Sequence, residues 1–104
     1  MIRIEITETG RNSLKENAST FNHEEKILNS VEDVKAYLIE RYGKIPNGKN
    51  KIYRHKKDGS VVEVGFLHSY WNDDCSHNAK KWYQTDWISF ETVNFQPFDI
   101  KQLY

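Results

Sequence analysis

The chain begins with isoleucine alternating with polar side chains, at Ile2, Ile4 and Ile6. Because successive side chains of a strand point to opposite faces, this period of two predicts a strand with one buried face. The polar stretch 9–22 has no clear period, and we interpret it as a loop. A brief second strand is predicted over Glu25–Leu28.

The next segment predicts one helix, about residues 31–42. Ser30 suits the N-cap position because its hydroxyl can accept a hydrogen bond from a backbone N–H of the first turn. Gly43 suits the left-handed conformation that often ends a helix, and Pro46 prevents the helix from resuming. The residues with helical spacing that would pack on a sheet are Val31, Val34, Tyr37, Leu38 and Tyr42.

A β-hairpin is predicted in the middle of the chain. Asp58-Gly59 lies between two strand-like runs, 51–57 and 60–68, and favours a two-residue type I′ turn. This turn would place His55 opposite Val62. The more apolar face of the hairpin, which we expect to meet the helix, carries Tyr53, His55, Val62, Val64 and Phe66.

The last part of the chain is rich in aromatic and β-branched residues. Residues 82–93 predict a strand with a bulge near Thr85-Asp86, and residues 95–103 predict a final strand or a segment pinned across the sheet. The whole pattern predicts an α+β fold. It consists of a single antiparallel sheet of four to six strands packed against one main helix, in a single domain covering residues 1–104.

Composition adds an expectation about location. Cys75 is the single cysteine, which excludes an internal disulfide and fits a reducing compartment. The charged, alternating start does not resemble a signal peptide, and no stretch approaches the roughly 20 apolar residues of a membrane span. We therefore expect a cytoplasmic protein that does not bind membranes.

Aromatic side chains suggest the leading function. One short helix cannot cover both faces of strands that carry so many rings, and alternation puts Tyr83 and Trp87 on the opposite side from Trp82 and Phe90. Exposed tryptophan and tyrosine are typical of protein interfaces. The alternative is that the long N-terminal loop and the C-terminal segment, with Phe95, Phe98 and Ile100, cover this second face.

The resulting hypothesis is a small non-catalytic domain that binds another protein. Its contact surface would be an aromatic-rich sheet face or the loop 69–79, with Tyr70, Trp71, Tyr83 and Trp87 as contact residues.

A basic segment supports an alternative function. Residues 41–57 contain seven lysines and arginines and no acidic residue, although the chain as a whole has a net charge of zero. Such a segment can contact phosphates, so the alternative is a nucleic-acid-binding module. The residues assigned to that role are Arg41, Lys51, Arg54, Lys56 and Lys57.

Signals for catalysis are weak. The chain has no glycine-rich phosphate loop, no H-E-x-x-H and no G-x-S-x-G motif. The polar loop with Asp73, Asp74, Cys75 and His77 does not have the ligand spacing of common structural zinc sites, and its carboxylates oppose activation of the thiol. A solvated loop is the favoured interpretation, so we expect neither enzymatic activity nor a metal or other cofactor.

Overall fold

The computed structural model describes residues 1–12, 17–72 and 82–104. These residues form one five-stranded antiparallel sheet, a helix α1 (Val31–Tyr42) and a short 3-10 helix (Ile100–Leu103). The strands are β1 (Ile2–Arg11), β2 (Ser19–Leu28), β3 (Lys51–His55), β4 (Val61–Asn72) and β5 (Trp82–Thr92), in the order β2-β1-β5-β4-β3. The predicted α+β fold with one antiparallel sheet and one main helix is confirmed. Within the described ranges, no helix combines the length and the apolarity needed to cross a membrane.

Helix α1 has the boundaries that its sequence predicts. The Ser30 hydroxyl accepts a hydrogen bond from the backbone N–H of Asp33 at 3.2 Å. At the other end Gly43 has a φ of 77°, and its N–H donates to the carbonyl of Ile39 at 2.7 Å. Both ends are therefore closed by local hydrogen bonds.

The hydrophobic core lies on the side of the sheet that faces α1. Val34 and Leu38 of the helix are fully buried against the isoleucines of β1. The C-terminal segment joins the same side. The core consists of Ile2, Ile4, Ile6, Val34, Leu38, Phe66, Ile88, Phe90, Phe98, Ile100 and Leu103.

The prediction of a loop over residues 9–22 was wrong at both ends of that range, where residues 9–11 and 19–22 belong to strands. β1 continues to Arg11, and β2 begins at Ser19 rather than Glu25. β2 is an edge strand whose residues are nearly all exposed, so it has no buried face to produce an alternating pattern. Backbone hydrogen bonds with β1 fix its conformation. A local sequence pattern does not reveal such pairing with another strand.

The middle hairpin forms, but its turn differs from the prediction. Lys56 N–H donates to the Ser60 carbonyl at 2.8 Å, and Gly59 N–H donates back to the Lys56 carbonyl at 3.0 Å. Gly59 has a φ of 87°, whereas Asp58 does not have the positive φ of a type I′ turn. The loop therefore has three residues, with glycine in the left-handed position.

A bulge changes the register further along this hairpin. Lys51 faces Phe66, as the sequence predicts, but the pairing shifts between Ile52 and Tyr53. His55 therefore faces Val61 rather than Val62. One consequence is that Val62 and Val64 are buried without joining the core cluster that meets α1.

The last strand and the C-terminus also differ in detail. The pairing of β5 with both neighbours shows no shift at Thr85-Asp86, so the predicted bulge there is wrong. Of the two alternatives predicted for residues 95–103, the final strand does not form: the segment makes one bridge, between Glu91 and Pro97, and continues into the 3-10 helix, whose Ile100 and Leu103 join the core. These changes leave β5 as a regular central strand.

Candidate interaction surface

The side of the sheet opposite α1 has a distinct composition, and we call it the open face. Residues paired directly across antiparallel strands share a face, so the register defines its rows. Three of these rows cross β1, β5 and β4: Thr7–Trp87–Leu67, Thr9–Thr85–Ser69 and Arg11–Tyr83–Trp71. The open face thus has two rows with aromatic rings and a row of hydroxyls between them.

The aromatic rings of the open face are partly accessible. Trp71 is 50% exposed and Trp87 is 46% exposed. The rings of Trp71 and Tyr83 contact each other edge to face, with centroids 5.2 Å apart, and the Arg11 guanidinium lies 5.4 Å from the Tyr83 centroid. These contacts hold the rings in place without burying them.

Hydrogen bonds fix the row between the aromatic rows. The Thr9 hydroxyl donates to the Thr85 carbonyl at 2.9 Å, and the Ser69 and Thr85 hydroxyls are hydrogen-bonded at 2.9 Å. Because these side chains are small, they project less far from the sheet than the aromatic rings on either side. A partner can therefore approach the central strands closely here.

Tyr70 lies on the other side of the sheet from Trp71, Tyr83 and Trp87. Its hydroxyl donates to Asp86 Oδ2 at 3.1 Å, on the α1 side. The open face therefore contains three of the four residues assigned to partner binding, and it adds Leu67, which the sequence did not single out.

The structure describes only the first part of the segment that was expected to form the loop 69–79. Residues 69–72 belong to β4, while residues 73–79 lie outside the described residues. The four polar residues considered above for chemistry, Asp73, Asp74, Cys75 and His77, lie outside them as well.

A buried polar cluster, which we call the Asp86 network, lies on the α1 side. Asp86 is fully buried, and its carboxylate accepts hydrogen bonds from Tyr42 Oη at 2.7 Å, from Tyr70 Oη and from Gln84 Nε2 at 2.8 Å. Gln84 Oε1 in turn accepts from Trp82 Nε1 at 3.1 Å. The sequence analysis missed this network. A usable signal was present, since Asp86 has the strand parity of the buried Ile88.

Two titratable groups near the Asp86 carboxylate, Tyr42 and His68, are held in their neutral forms. Burial, followed by the hydrogen bond and charge of Asp86, raises the pKa of Tyr42 well above its usual range. Burial lowers the pKa of His68, although the charge of Asp86 acts in the opposite direction. No buried side-chain polar atom in the described part of the chain is without a hydrogen-bond partner. Because its buried polar atoms are all hydrogen-bonded, the Asp86 network acts as a structural connection between helix and sheet.

Arg41 is held in an ion-pair cluster on the α1 side. Its guanidinium donates to carboxylate oxygens of Glu8 and Glu24, the latter at 2.9 Å. Tyr37 Oη also donates to Glu24. Because two carboxylates surround it, Arg41 is already neutralised within the fold.

The other residues assigned to nucleic-acid binding are dispersed. Lys51 Nζ donates to Asn47 Oδ1 at 2.7 Å. Arg54 forms an ion pair with Glu91 at 3.2 Å and donates to the Phe95 carbonyl at 2.8 Å. The five cations do not form one continuous surface.

Three basic residues nevertheless line one cavity, the basic groove. Arg54, Lys56 and Lys57 border a space of about 460 Å³ together with Phe95. Phe95 is 66% exposed and has a φ of 61°, which non-glycine residues rarely adopt. An accessible ring therefore lies beside several cationic side chains.

No protein-family model matches this chain, and neither do the curated proteins or the solved structures with which it was compared.

Proposed function

We propose that this chain is a non-catalytic domain that binds another protein through its open face. The observation that carries the proposal is that Trp71 and Trp87 remain about half exposed on the same side of the sheet. A fold with a complete core elsewhere has no structural need for these rings at its surface. Tryptophan at such positions contributes strongly to protein association because it offers a large, rigid contact area.

The scaffold under these rings suits a binding surface. Trp87 and Tyr83 are on β5, which pairs with strands on both sides. Residues on central strands lose little conformational entropy when a partner binds, because they are already ordered. The hydroxyl row between the aromatic rows gives the partner further groups to contact.

Charge specifies the partner that we expect. Among the described residues of the three rows, Arg11 carries the only formal charge. Its position over the Tyr83 ring places a cation at the end of the aromatic surface. The three rows are thus almost uncharged, so the complementary partner is a protein that presents apolar side chains.

Cytoplasmic location is part of this proposal. It is supported by the single cysteine, which fits a reducing compartment.

The experiment compares capture of proteins from a cell extract by immobilised wild-type chain and by Trp71→Ala and Trp87→Ala variants. Ile39→Ala is the matched control, because Ile39 is 48% exposed on helix α1, away from the open face. A candidate partner is then purified, and its affinity for each variant is measured. We expect both tryptophan variants to weaken binding by about 30-fold or more, as for central interface residues.

Two results would contradict the proposal. One is equal binding by the wild type and both tryptophan variants. The other is a loss of binding that is as large for Ile39→Ala as for Trp87→Ala. Circular dichroism of every variant ensures that lost binding does not come from lost folding.

A second candidate function is binding of single-stranded nucleic acid at the basic groove. The observation that favours it is the exposed, positive-φ Phe95 next to Lys56 and Lys57. An aromatic ring can stack on a base while lysines contact the adjacent phosphates. This reading uses only part of the basic segment, because Arg41 is neutralised on the α1 side.

Fluorescence anisotropy with a labelled single-stranded oligonucleotide tests this second function across a salt titration. We expect Lys56→Glu/Lys57→Glu and Phe95→Ala to abolish a salt-sensitive signal. The control Lys44→Glu/Lys49→Glu makes the same change in charge at other exposed positions. Absence of binding at low salt, or equal loss in the control, would exclude the groove as the binding site.

A further inference from the structure

Three side chains with metal-ligand chemistry meet on strands β1 and β2, near the edge of the open face. Glu5, His23 and Glu25 each offer one ligand atom, and these atoms all lie within 4.8 Å of one another. The register fixes this arrangement, because Glu5 pairs directly with Glu25, and Thr7 pairs directly with His23. The three side chains therefore project from neighbouring positions on a paired backbone.

The imidazole of His23 has a defined orientation. Its Nδ1 lies 2.8 Å from the Thr7 hydroxyl, and its Nε2 lies 3.6 Å from Glu25 Oε1. In the tautomer protonated on Nδ1, the ring donates to Thr7 and leaves the Nε2 lone pair on the side of Glu25. Ligand atoms of tetrahedral zinc are separated by about 3.4 Å, given bond lengths near 2.1 Å. The spacing of Nε2 and Oε1 already matches this value.

The local charge favours a cation. Like charges directly opposite each other in a sheet are unfavourable, and Glu5 and Glu25 are such a pair. Arg3 lies 3.8 Å and 3.6 Å from these carboxylates, but it makes its closest ion pair with Glu91. A cation held between Glu5 and Glu25 would offset this repulsion.

We propose that Glu5, His23 and Glu25 form a binding site for a divalent transition-metal ion of the zinc type. One imidazole and two carboxylates suit zinc better than magnesium or calcium, which prefer oxygen ligands alone. The carboxylates are 36% and 47% exposed, so they can rotate to complete the coordination. Three protein ligands leave a fourth position for water.

Isothermal titration calorimetry of the untagged chain with zinc chloride tests this site. We expect His23→Ala and Glu25→Gln each to weaken zinc binding by about tenfold or more, and Thr7→Val to weaken it by about tenfold through loss of ring orientation. Zinc should also raise the unfolding temperature of the wild type, but not that of His23→Ala, because a ligand of the folded state stabilises it.

Matched controls separate this site from other zinc ligands. His55→Ala and Glu32→Gln remove the same types of group at exposed positions elsewhere and should leave the affinity unchanged. The proposal is overturned if the wild type does not bind zinc, or if His23→Ala and Glu25→Gln bind it as tightly as the wild type. It is equally overturned if Cys75→Ser, rather than His23→Ala, abolishes binding.

Discussion

The Tyr42 hydroxyl donates a hydrogen bond to Asp86 Oδ2 at 2.7 Å, which joins the last residue of α1 to the middle of β5. This bond connects two parts of the chain that are far apart in sequence. It also places a phenol donor on a carboxylate that has no solvent exposure. Helix position and strand position are therefore linked by one polar contact in addition to the apolar core.

Removal of this contact should destabilise the fold. We expect Tyr42→Phe to lower the free energy of unfolding by about 1–2 kcal/mol, because Asp86 loses a hydrogen-bond donor and stays buried. Urea denaturation followed by circular dichroism measures the change. Tyr53→Phe is the control, since Tyr53 is 59% exposed on β3 and should change stability by less than about 0.5 kcal/mol. Equal effects of the two substitutions would show that the Asp86 bond adds no stability.

Alkaline pH should weaken the folded state through the same network. Burial and Asp86 raise the pKa of both Tyr42 and Tyr70 above their usual value, which is about 10 in an unfolded chain. As the pH rises, the unfolded chain therefore releases these protons first. The stabilisation is fully present below about pH 10 and falls as the pH increases beyond it.

Urea midpoints at several pH values test this dependence. We expect the urea concentration at the unfolding midpoint of the wild type to decrease as the pH is raised from about 9 to about 11. The double variant Tyr42→Phe/Tyr70→Phe should have a lower midpoint at neutral pH and a shallower fall over this interval. An equally steep fall in the double variant would assign the alkaline sensitivity to other groups.

The close approach of β4 and β5 predicts a strict requirement for glycine at position 65. A Cβ at Gly65 would lie 2.3 Å from the Ile88 carbonyl oxygen and 2.9 Å from Ser89 Cα, both of which are backbone atoms. Because backbone cannot move aside as a side chain can, we expect Gly65→Ala to lower the free energy of unfolding by about 3 kcal/mol.

Gly43→Ala is the matched comparison. Gly43 has a positive φ but no atom within 4 Å of an added Cβ, so only conformational strain of about 1 kcal/mol is expected. Hydrogen exchange gives a second measurement, since only Gly65→Ala should accelerate exchange of the amides paired between β4 and β5. A cost for Gly65→Ala no larger than that for Gly43→Ala would contradict the steric argument.

Local signals explain which elements the sequence predicts well. Ser30 and Gly43 close α1 through hydrogen bonds within a few residues, so both ends of the helix could be inferred from the sequence. The bounds of β2 could not be inferred in this way, because its hydrogen bonds come from β1 and most of its side chains are exposed. The register shift between Ile52 and Tyr53 likewise depends on how two strands pair, and neither strand alone encodes it.

Part of the open face could also be predicted, because alternation of side chains along a strand is a local pattern. Alternation along β5 correctly separates Tyr83 and Trp87 from Ile88. Tyr70 was grouped with Trp71 as a contact residue of an aromatic-rich sheet face or of the loop 69–79, whereas β4 contains both residues and continues to Asn72. Once both residues belong to one strand, they must lie on opposite faces.

The pairing of β1 with β5 affects how the protein is made. Ile2 pairs with Thr92, so nearly ninety further residues must be synthesised after the start of β1 before its second partner strand is complete. An isolated β1–β2 hairpin is marginally stable, which leaves the Ile4 and Ile6 side chains exposed on the nascent chain. Folding should therefore be a single late event with slow, non-local strand pairing. Chaperones that shield apolar segments during translation would raise the yield of this protein.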